Sequence, residues 1–144
     1  IHAATDLLAE AKLSPELRNE ALYYRAKAYT KQKADKKAME DYRELAKDTR
    51  NSYGAEAKYQ VAQSLYDAKE YAAAEKELLN YIEQSTPHAY WLARSFILLS
   101  DVYHATGKDL DARQYLLSLQ QNYQGNDDIE SMIESRLSKL KVEN

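Results

Sequence analysis

The residues that could carry out catalysis are few and lie close together. Ser100, Asp101 and His104 are of the types that form a nucleophile, an orienting acid and a base, and such triads assemble in space rather than in sequence. All three fall within little more than one turn of a predicted helix, so we interpret them as polar surface residues. The remaining histidines, His2 and His88, are not paired at the four-residue spacing of a zinc-binding helix.

Metal and cofactor chemistry has equally little support. The chain lacks cysteine, which removes disulfides, thiolate metal ligands and cysteine nucleophiles together. Its three glycines are scattered, so they form no phosphate-binding loop. Asp127, Asp128 and Glu130 could bind a cation, but acidic residues are also favoured at a helix N-terminus, and we expect that role here. The sequence therefore predicts no enzyme, no metal site and no cofactor.

The composition limits the class of protein. The chain has 144 residues and a net charge of -3, whereas a general nucleic-acid binder needs a basic face. No apolar run approaches the roughly 20 residues that a membrane helix requires. Three glycines and two prolines are few, which favours long helices joined by short turns. Because Ile1 begins within a predicted helix, we expect the segment to be a fragment of a longer chain.

The chain contains an internal repeat. Residues 19–46, 55–82 and 93–120 align without a gap, and Ala38, Ala74 and Ala112 fall in register. The steps between these alanines are 74 − 38 = 36 and 112 − 74 = 38 residues. A period in the mid-thirties with two helices in each unit predicts a helical repeat array. Such arrays usually act as binding surfaces and seldom as enzymes.

Turn and cap signals divide the chain into helical units. Ser14 before Pro15 predicts a helix that starts at Pro15. Asp35 and Asn126 are predicted to cap helices, residues 50–54 to form a loop, Pro87 to open a helix and Gly107 to adopt a left-handed turn. The predicted units are a half repeat at 3–12, repeats at 16–48, 53–85 and 87–123, and a helix at 127–142 whose apolar stripe caps the last repeat.

Large and small apolar residues recur at fixed offsets within these units. The first helices carry Arg25/Ala26/Tyr29, Val61/Ala62/Leu65 and Leu99/Ser100/Tyr103, the turns Lys33, Lys69 and Gly107, and the second helices Ala38/Tyr42, Ala74/Leu78 and Ala112/Leu116, with Ala4 and Leu8 in the half repeat. This pattern resembles the tetratricopeptide repeat (TPR) family. Arg25 is a poor match at a core position, and the Trp and terminal Pro of the family pattern are missing.

The resemblance implies a fold and a place of action. The expected fold is all-α, a right-handed superhelix (α-solenoid) of about three repeats, with a leading half repeat and a C-terminal capping helix. The long joints between units look like those of TPR proteins of the bacterial envelope. The periplasm or cell envelope is therefore favoured over the cytoplasm.

The resemblance also implies a binding groove lined by the first helices. Its predicted partner-binding residues are Tyr23, Lys27, Thr30, Tyr59, Gln63, Tyr66, Arg94, Asp101 and His104. Independently, residues four and seven apart share a helix face, so Tyr59, Gln63 and Tyr66 form one stripe. The alternative is that Tyr59 and Tyr66 pack between helices. A clamp for a C-terminal carboxylate is disfavoured, since no Asn occupies the matching groove positions.

The sequence thus predicts a non-catalytic scaffold that binds a peptide or a partner domain of unknown identity in its groove. Two alternatives stay open. One is a structural spacer or self-association module, forming a homodimer through its terminal helices. The other is an enzyme or sensor regulator with a small ligand, which would show a closed pocket of convergent polar groups.

Overall fold

The described part of the chain is entirely helical. A computed structural model describes residues 2–9, 13–84 and 87–140, and within them eight α-helices and no strand occur. The helices are α1 (His2–Leu8), α2 (Pro15–Lys31), α3 (Asp35–Leu45), α4 (Ser52–Asp67), α5 (Tyr71–Glu83), α6 (Ala89–Ala105), α7 (Asp109–Asn122) and α8 (Ile129–Leu137). The all-α prediction is confirmed. Residues 10–12, 85 and 141–142 of the predicted units lie outside the described residues.

The helices group into two compact units. Unit 1 is Ile1–Val61 and unit 2 is Ala62–Asn144, and the boundary falls within α4. In unit 1, α2 packs against both α1 and α3. In unit 2, α6 packs against α5 and α7, and α8 contacts α6 and α7. The core around α8 contains Ala93, Ile97, Leu116, Leu119, Ile129 and Ile133. The apolar stripe predicted for the last helix is therefore buried within unit 2.

The three turns that close the helix pairs share one backbone conformation. Lys33, Lys69 and Gly107 have φ values of 59°, 63° and 78°, which is the left-handed region. In each turn the following N–H donates to the carbonyl five residues earlier, from Ala34 to Tyr29, from Glu70 to Leu65 and from Lys108 to Tyr103, at 2.9, 2.9 and 2.7 Å. This is the bond of a Schellman helix end. The left-handed turn predicted at Gly107 is confirmed, and the two lysines adopt it without the freedom of glycine.

Helix starts follow the sequence signals only in part. The cap at Ser14 is confirmed, because the Leu17 N–H donates to Ser14 Oγ at 3.2 Å. The cap predicted at Asp35 is wrong. The N-cap of α3 is Ala34, which makes no side-chain cap bond, and Asp35 is already the first helical residue. A negative charge in the first turn favours the helix through its dipole without a direct bond to the backbone.

The last two helix starts lie later than predicted. Pro87 does not open α6, whose N-cap is His88. The cap predicted at Asn126 is also wrong, since the N-cap of α8 is Asp128. The Ile129 N–H instead donates to Asp127 Oδ1 at 3.1 Å. This carboxylate therefore satisfies one of the N–H groups that the start of a helix leaves unpaired.

The loop predicted at residues 50–54 is wrong over its last three residues, because α4 begins at Ser52. Asn51 lies immediately before the helix and caps it, because its Oδ1 accepts a hydrogen bond from the Gly54 N–H at 2.8 Å. A Cβ on Gly54 would collide with the backbone carbonyl of Asp48, just beyond the end of α3. Gly54 is therefore required for close approach of two backbone segments and does not mark a flexible loop.

The mismatch of Arg25 with an apolar core position has a structural explanation. Its guanidinium donates two hydrogen bonds to Asp41, at 2.8 Å from Nε to Oδ2 and 2.6 Å from Nη2 to Oδ1. Asp41 lies on α3 and is only 4% exposed. Such bidentate contacts are the strongest arginine–carboxylate pairs, and this one raises the pKa of Arg25. Arginine is accommodated because the facing helix supplies a buried counter-charge.

Removing one member of the pair between Arg25 and Asp41 should destabilise the protein far more than replacing both. We expect Asp41→Ala to lower the free energy of unfolding by about 3–5 kcal/mol, because it leaves a half-buried guanidinium unpaired. The double variant Arg25→Leu/Asp41→Leu should stay close to the parent. Urea unfolding followed by circular dichroism measures both. The control is Glu44→Ala, which breaks exposed pairs with Lys47 and Arg18 and should change stability by less than about 1 kcal/mol. Equal losses for Asp41→Ala and Glu44→Ala would contradict this account.

The left-handed lysines predict two stabilising substitutions. A left-handed backbone destabilises an L-residue by about 1–2 kcal/mol, and glycine avoids this at the expense of a more disordered unfolded chain. Lys33→Gly and Lys69→Gly should therefore each raise the free energy of unfolding, by about 0.5–1 kcal/mol. Lys76→Gly, in the interior of α5, should lower it by about 1 kcal/mol. The idea fails if all three glycine variants are destabilised in thermal and urea unfolding.

Candidate partner-binding site

A pocket of about 380 Å³ opens within unit 2, and we call it the unit 2 pocket. Two of its walls are the end of α4 and the second half of α6. The third wall is the end of α8 and the residues that follow it. The lining residues are Gln63, Tyr66, Ser100, Asp101, His104, Arg136, Lys139 and Leu140. Four of the nine predicted groove residues, Gln63, Tyr66, Asp101 and His104, thus meet at one place.

The sequence of α6 explains why it presents a polar edge to this pocket. Most of the helix is apolar and packed, and Ile97, Leu98, Leu99 and Val102 are all buried. Asp101 and His104 are three residues apart and therefore share a helix face. The interpretation of Ser100 as a surface residue is wrong, because Ser100 is only 1% exposed.

Asp101 joins α6 to α8 through a bidentate ion pair. Arg136 Nε donates to Asp101 Oδ1 at 3.2 Å, and Nη2 donates to Oδ2 at 3.3 Å. Burial raises the pKa of Asp101, and the hydrogen bonds and charge of Arg136 only partly offset this increase. The pair therefore holds one wall of the pocket in place while keeping a carboxylate in a partly dry environment.

The three residues of the hypothetical triad have separate environments. His104 Nδ1 lies 2.8 Å from Asp109 Oδ1, at the start of α7. Asp101 is engaged with Arg136, and the buried Ser100 Oγ has no hydrogen-bond partner in the described part of the chain. The contacts therefore do not link serine, histidine and Asp101 in a chain. They leave a polar pocket with an unsatisfied hydroxyl in its wall.

Tyr66 forms the aromatic wall of the unit 2 pocket. Its half-buried ring packs edge-on against Tyr71, with 5.6 Å between the ring centroids. Burial raises the pKa of Tyr66, and the charge of Asp101 raises it further. Gln63, one turn earlier, donates from Nε2 to Asp67 Oδ1 at 2.9 Å. The pocket thus combines one ordered aromatic face with polar groups on its other sides.

In unit 1 the predicted residues Tyr23 and Lys27 meet at Glu56. The Tyr23 hydroxyl donates to Glu56 Oε1 at 2.9 Å, and Lys27 Nζ donates to Oε2 at 2.7 Å. Burial and then the bond to Glu56 raise the pKa of Tyr23. Burial lowers the pKa of Lys27, but the bond and charge of Glu56 outweigh it, so that pKa is raised as well. These two polar groups are therefore occupied within unit 1.

Tyr59 and Thr30 lie elsewhere in unit 1. Tyr59 is 6% exposed, so its ring is packed inside unit 1 and offers little surface to a partner. This burial corresponds to the packing alternative for Tyr59. Thr30 is exposed, and its hydroxyl donates to the Ala26 carbonyl at 2.9 Å within α2. Neither residue lines the unit 2 pocket.

Arg94 lies at the other end of α6, away from the residues that line the unit 2 pocket. Its Nη1 donates to the Tyr90 hydroxyl at 2.9 Å, and its guanidinium carbon lies 5.7 and 5.9 Å from the Tyr90 and Trp91 ring centroids. The Tyr90 hydroxyl in turn donates to Asp128 at 3.0 Å. Arg94 therefore stabilises the aromatic start of α6 and is not among the pocket residues.

Arg136, Lys139 and Leu140 were not among the predicted groove residues, because the last helix was predicted chiefly to cap the array. Their spacing carried a usable signal. Residues three and four apart share one helix face, and this set places two cations beside a leucine near the end of α8. A cation-rich edge on a capping helix could have marked it as part of a site.

The acidic group after α7 makes protein contacts. Asp127 accepts a hydrogen bond from the Tyr123 hydroxyl, and Asp128 accepts one from Tyr90. Burial, and then the bond to Asp127, raise the pKa of Tyr123 to about 12. Over residues 2–9, 13–84 and 87–140, no three His, Cys, Asp or Glu side chains are grouped to hold a metal ion.

The fold and the pocket define an all-α, repeat-like protein with a polar, cation-rich pocket in unit 2. Comparison with protein-family models, curated proteins and solved structures yields no match for this chain. The TPR resemblance therefore stays a prediction from the residue pattern. In the part of the chain that the structure describes, every helix is too short or too polar to cross a membrane.

The pKa of Asp101 should be measurably raised, and the variant Arg136→Gln should raise it further. The folded-state pKa lies above the 3.8 of an unperturbed Asp, because burial disfavours the carboxylate. A raised acid pKa means that folding takes up a proton. The contribution of Asp101 to stability is therefore full at pH values below 3.8 and decreases as the pH rises through the folded-state pKa.

Carboxyl carbon NMR titration measures this pKa directly. Urea unfolding of the parent and of Asp101→Asn between pH 3.5 and 7, a range set by the reference pKa of about 4 for Asp, tests the linked stability. The parent should lose stability relative to the variant as the pH increases. A pKa of Asp101 below that of an unperturbed Asp, or the opposite dependence of stability on pH, would contradict the assigned burial effect.

Proposed function

We propose that this chain is a non-catalytic, TPR-like scaffold that binds an extended segment of a partner protein, and that the unit 2 pocket is its principal anchoring point. The observation that carries the proposal is the convergence of Gln63, Tyr66, Asp101 and His104 on one pocket. These residues were selected from the repeat pattern alone, and they come from two different helices. A shared site for residues at equivalent repeat offsets is what a binding surface on first helices requires.

The chemistry of the pocket suits a peptide. Its aromatic face at Tyr66 provides apolar contact area, and tyrosine is enriched among residues that dominate binding energies. The polar groups around it could fix the orientation of one or two partner side chains. Asp101 and Arg136 hold each other in place, so little side-chain ordering is needed when a partner binds.

A non-catalytic role is favoured by the contacts of the acid and the base. Asp101 is engaged by Arg136, and the Ser100 Oγ has no hydrogen-bond partner among the described residues, so neither Asp101 nor His104 contacts the hydroxyl that would have to be activated. The Ser100 hydroxyl therefore lacks the adjacent general base that a serine nucleophile requires. Binding therefore explains the pocket better than acyl transfer does.

The proposal includes the solenoid arrangement and a place in a bacterial envelope assembly. Its support is the repeat register, since the three equivalent turn positions all adopt the left-handed conformation. The long joints between units are the basis for favouring the periplasm or envelope. No cofactor and no nucleic acid are part of this function.

Selection from a random peptide display library tests the proposal. The parent should enrich peptides whose affinity falls at least tenfold in Tyr66→Ala, a loss of about 1.4 kcal/mol. The matched control is Tyr24→Ala, which removes the same side chain from a position 57% exposed in unit 1 and should leave binding unchanged. Circular dichroism confirms that both variants are folded. Failure to enrich any peptide, or equal loss in both variants, would overturn the proposal in favour of a spacer.

A further inference from the structure

The unit 2 pocket contains more hydrogen-bond donors than acceptors. Arginine carries five N–H donors, and Asp101 accepts from Nε and Nη2 of Arg136. Lys139 adds an ammonium group that makes no ion pair among the described residues, and Tyr66 adds a hydroxyl. Each carboxylate oxygen of Asp101 already accepts one hydrogen bond from Arg136. A ligand that supplies acceptors would therefore complete more hydrogen bonds than one that supplies donors.

The charges of the lining residues also favour a ligand that supplies acceptors, because they favour a negatively charged one. Arg136 and Lys139 are two cations, and Asp101 is the one carboxylate among the described residues that line the pocket. The neighbouring acid Asp109 lies against His104 and is not among the lining residues. Lys139 is close enough to Asp101 to lower the pKa of that carboxyl by its charge. Among the described lining residues, the charges of Arg136 and Lys139 thus exceed that of Asp101 by one positive charge.

An unsatisfied hydroxyl supports a ligand-binding role for this pocket. Ser100 is 1% exposed, lines the pocket, and its Oγ has no hydrogen-bond partner in the described chain. A buried polar group without a hydrogen-bond partner destabilises a folded protein. An alanine at this position would avoid that loss and would equally fit the small-residue position of the repeat. The hydroxyl therefore provides a donor that the folded chain itself does not use.

We propose that the unit 2 pocket binds the side-chain carboxylate of an aspartate or glutamate within a peptide segment of a partner. This inference rests on the proposed function and names the chemistry of its partner. The carboxylate would lie between Lys139 and the N–H groups of Arg136 that Asp101 does not engage, with the peptide backbone along Tyr66. The cations come from α8 and the residues after it, and not from the first-helix positions that the sequence pattern selects.

The probe is an end-blocked tetraglutamate, compared with an end-blocked tetraglutamine, each titrated into the ¹⁵N-labelled chain. Blocked ends leave only side-chain carboxylates to bind. Tetraglutamate should shift the amide resonances of Ser100 and Lys139 in a saturable way, with a Kd at least tenfold lower than that of tetraglutamine. The affinity should weaken with salt, because two cations are neutralised at a partly exposed site.

Two matched variants locate the contact. Lys139→Gln should raise the Kd for tetraglutamate about fivefold and leave that for tetraglutamine unchanged. Lys76→Gln makes the same charge change on α5 and should alter neither. Ser100→Ala should weaken tetraglutamate binding about threefold while increasing resistance to urea, a combination that a merely structural serine would not produce. Equal effects of Lys139→Gln and Lys76→Gln would show a general charge effect and overturn the proposal.

Two further outcomes separate this inference from the function on which it rests. Acetate or phosphate that shifts the same resonances with the Kd of tetraglutamate would mean that the pocket takes any small anion, and the peptide inference would be wrong. Neutral peptides from the display library that depend on Tyr66, with no preference for glutamate over glutamine, would retain the scaffold function and reject the acidic partner.

Discussion

Buried carboxylates place a strong constraint on this fold. Asp41 and Glu56 are 4% and 8% exposed, and Asp101 is also largely removed from water. Each is met by a cation from a different helix, namely Arg25, Lys27 and Arg136. An unpaired charge at such sites would destabilise the fold by several kcal/mol. These pairs therefore specify which faces of α2 and α3, α2 and α4, and α6 and α8 come together.

This constraint complements the small-residue packing of the repeats. Ala26, Ala38, Ala74 and Ala112 are almost completely buried and let helices approach closely. Alanine, however, distinguishes poorly between neighbouring packing registers, because one small side chain resembles the next. Bidentate contacts such as the one between Arg25 and Asp41 accept only a narrow range of geometries. Close packing and charge pairing together can select one arrangement within each unit.

How well the sequence predicts the structure depends on how far apart in the chain the interacting residues lie. Local signals succeeded: Ser14 caps α2, and Gly107 takes the left-handed conformation. Gly54 failed as a loop marker because its role depends on a backbone carbonyl in another segment. Arg25 seemed misplaced for the same reason, since its partner Asp41 lies sixteen residues away on a facing helix. Sequence periodicity reports what one helix does and not what faces it.

The candidate site shows the same limit. Helix offsets grouped four residues that line the unit 2 pocket, but they could not show that α8 supplies its cations. Offsets also selected Tyr59 and Arg94, which pack within their own units. Whether a side chain on a predicted face is accessible depends on the neighbouring helices, and those contacts are set by tertiary packing.

In the proposed function, α8 would link the stability of unit 2 to the occupancy of its pocket. The helix is Ile129–Leu137, nine residues, too short to be stable in isolation. It is held by the burial of Ile129 and Ile133 and by the pairing of Arg136 with Asp101. A ligand that contacts Arg136 and Lys139 binds only when α8 is docked, so binding must stabilise the docked state by mass action. The same helix end therefore completes the hydrophobic core and presents the charges of the pocket, and a loss of core packing would remove the site as well.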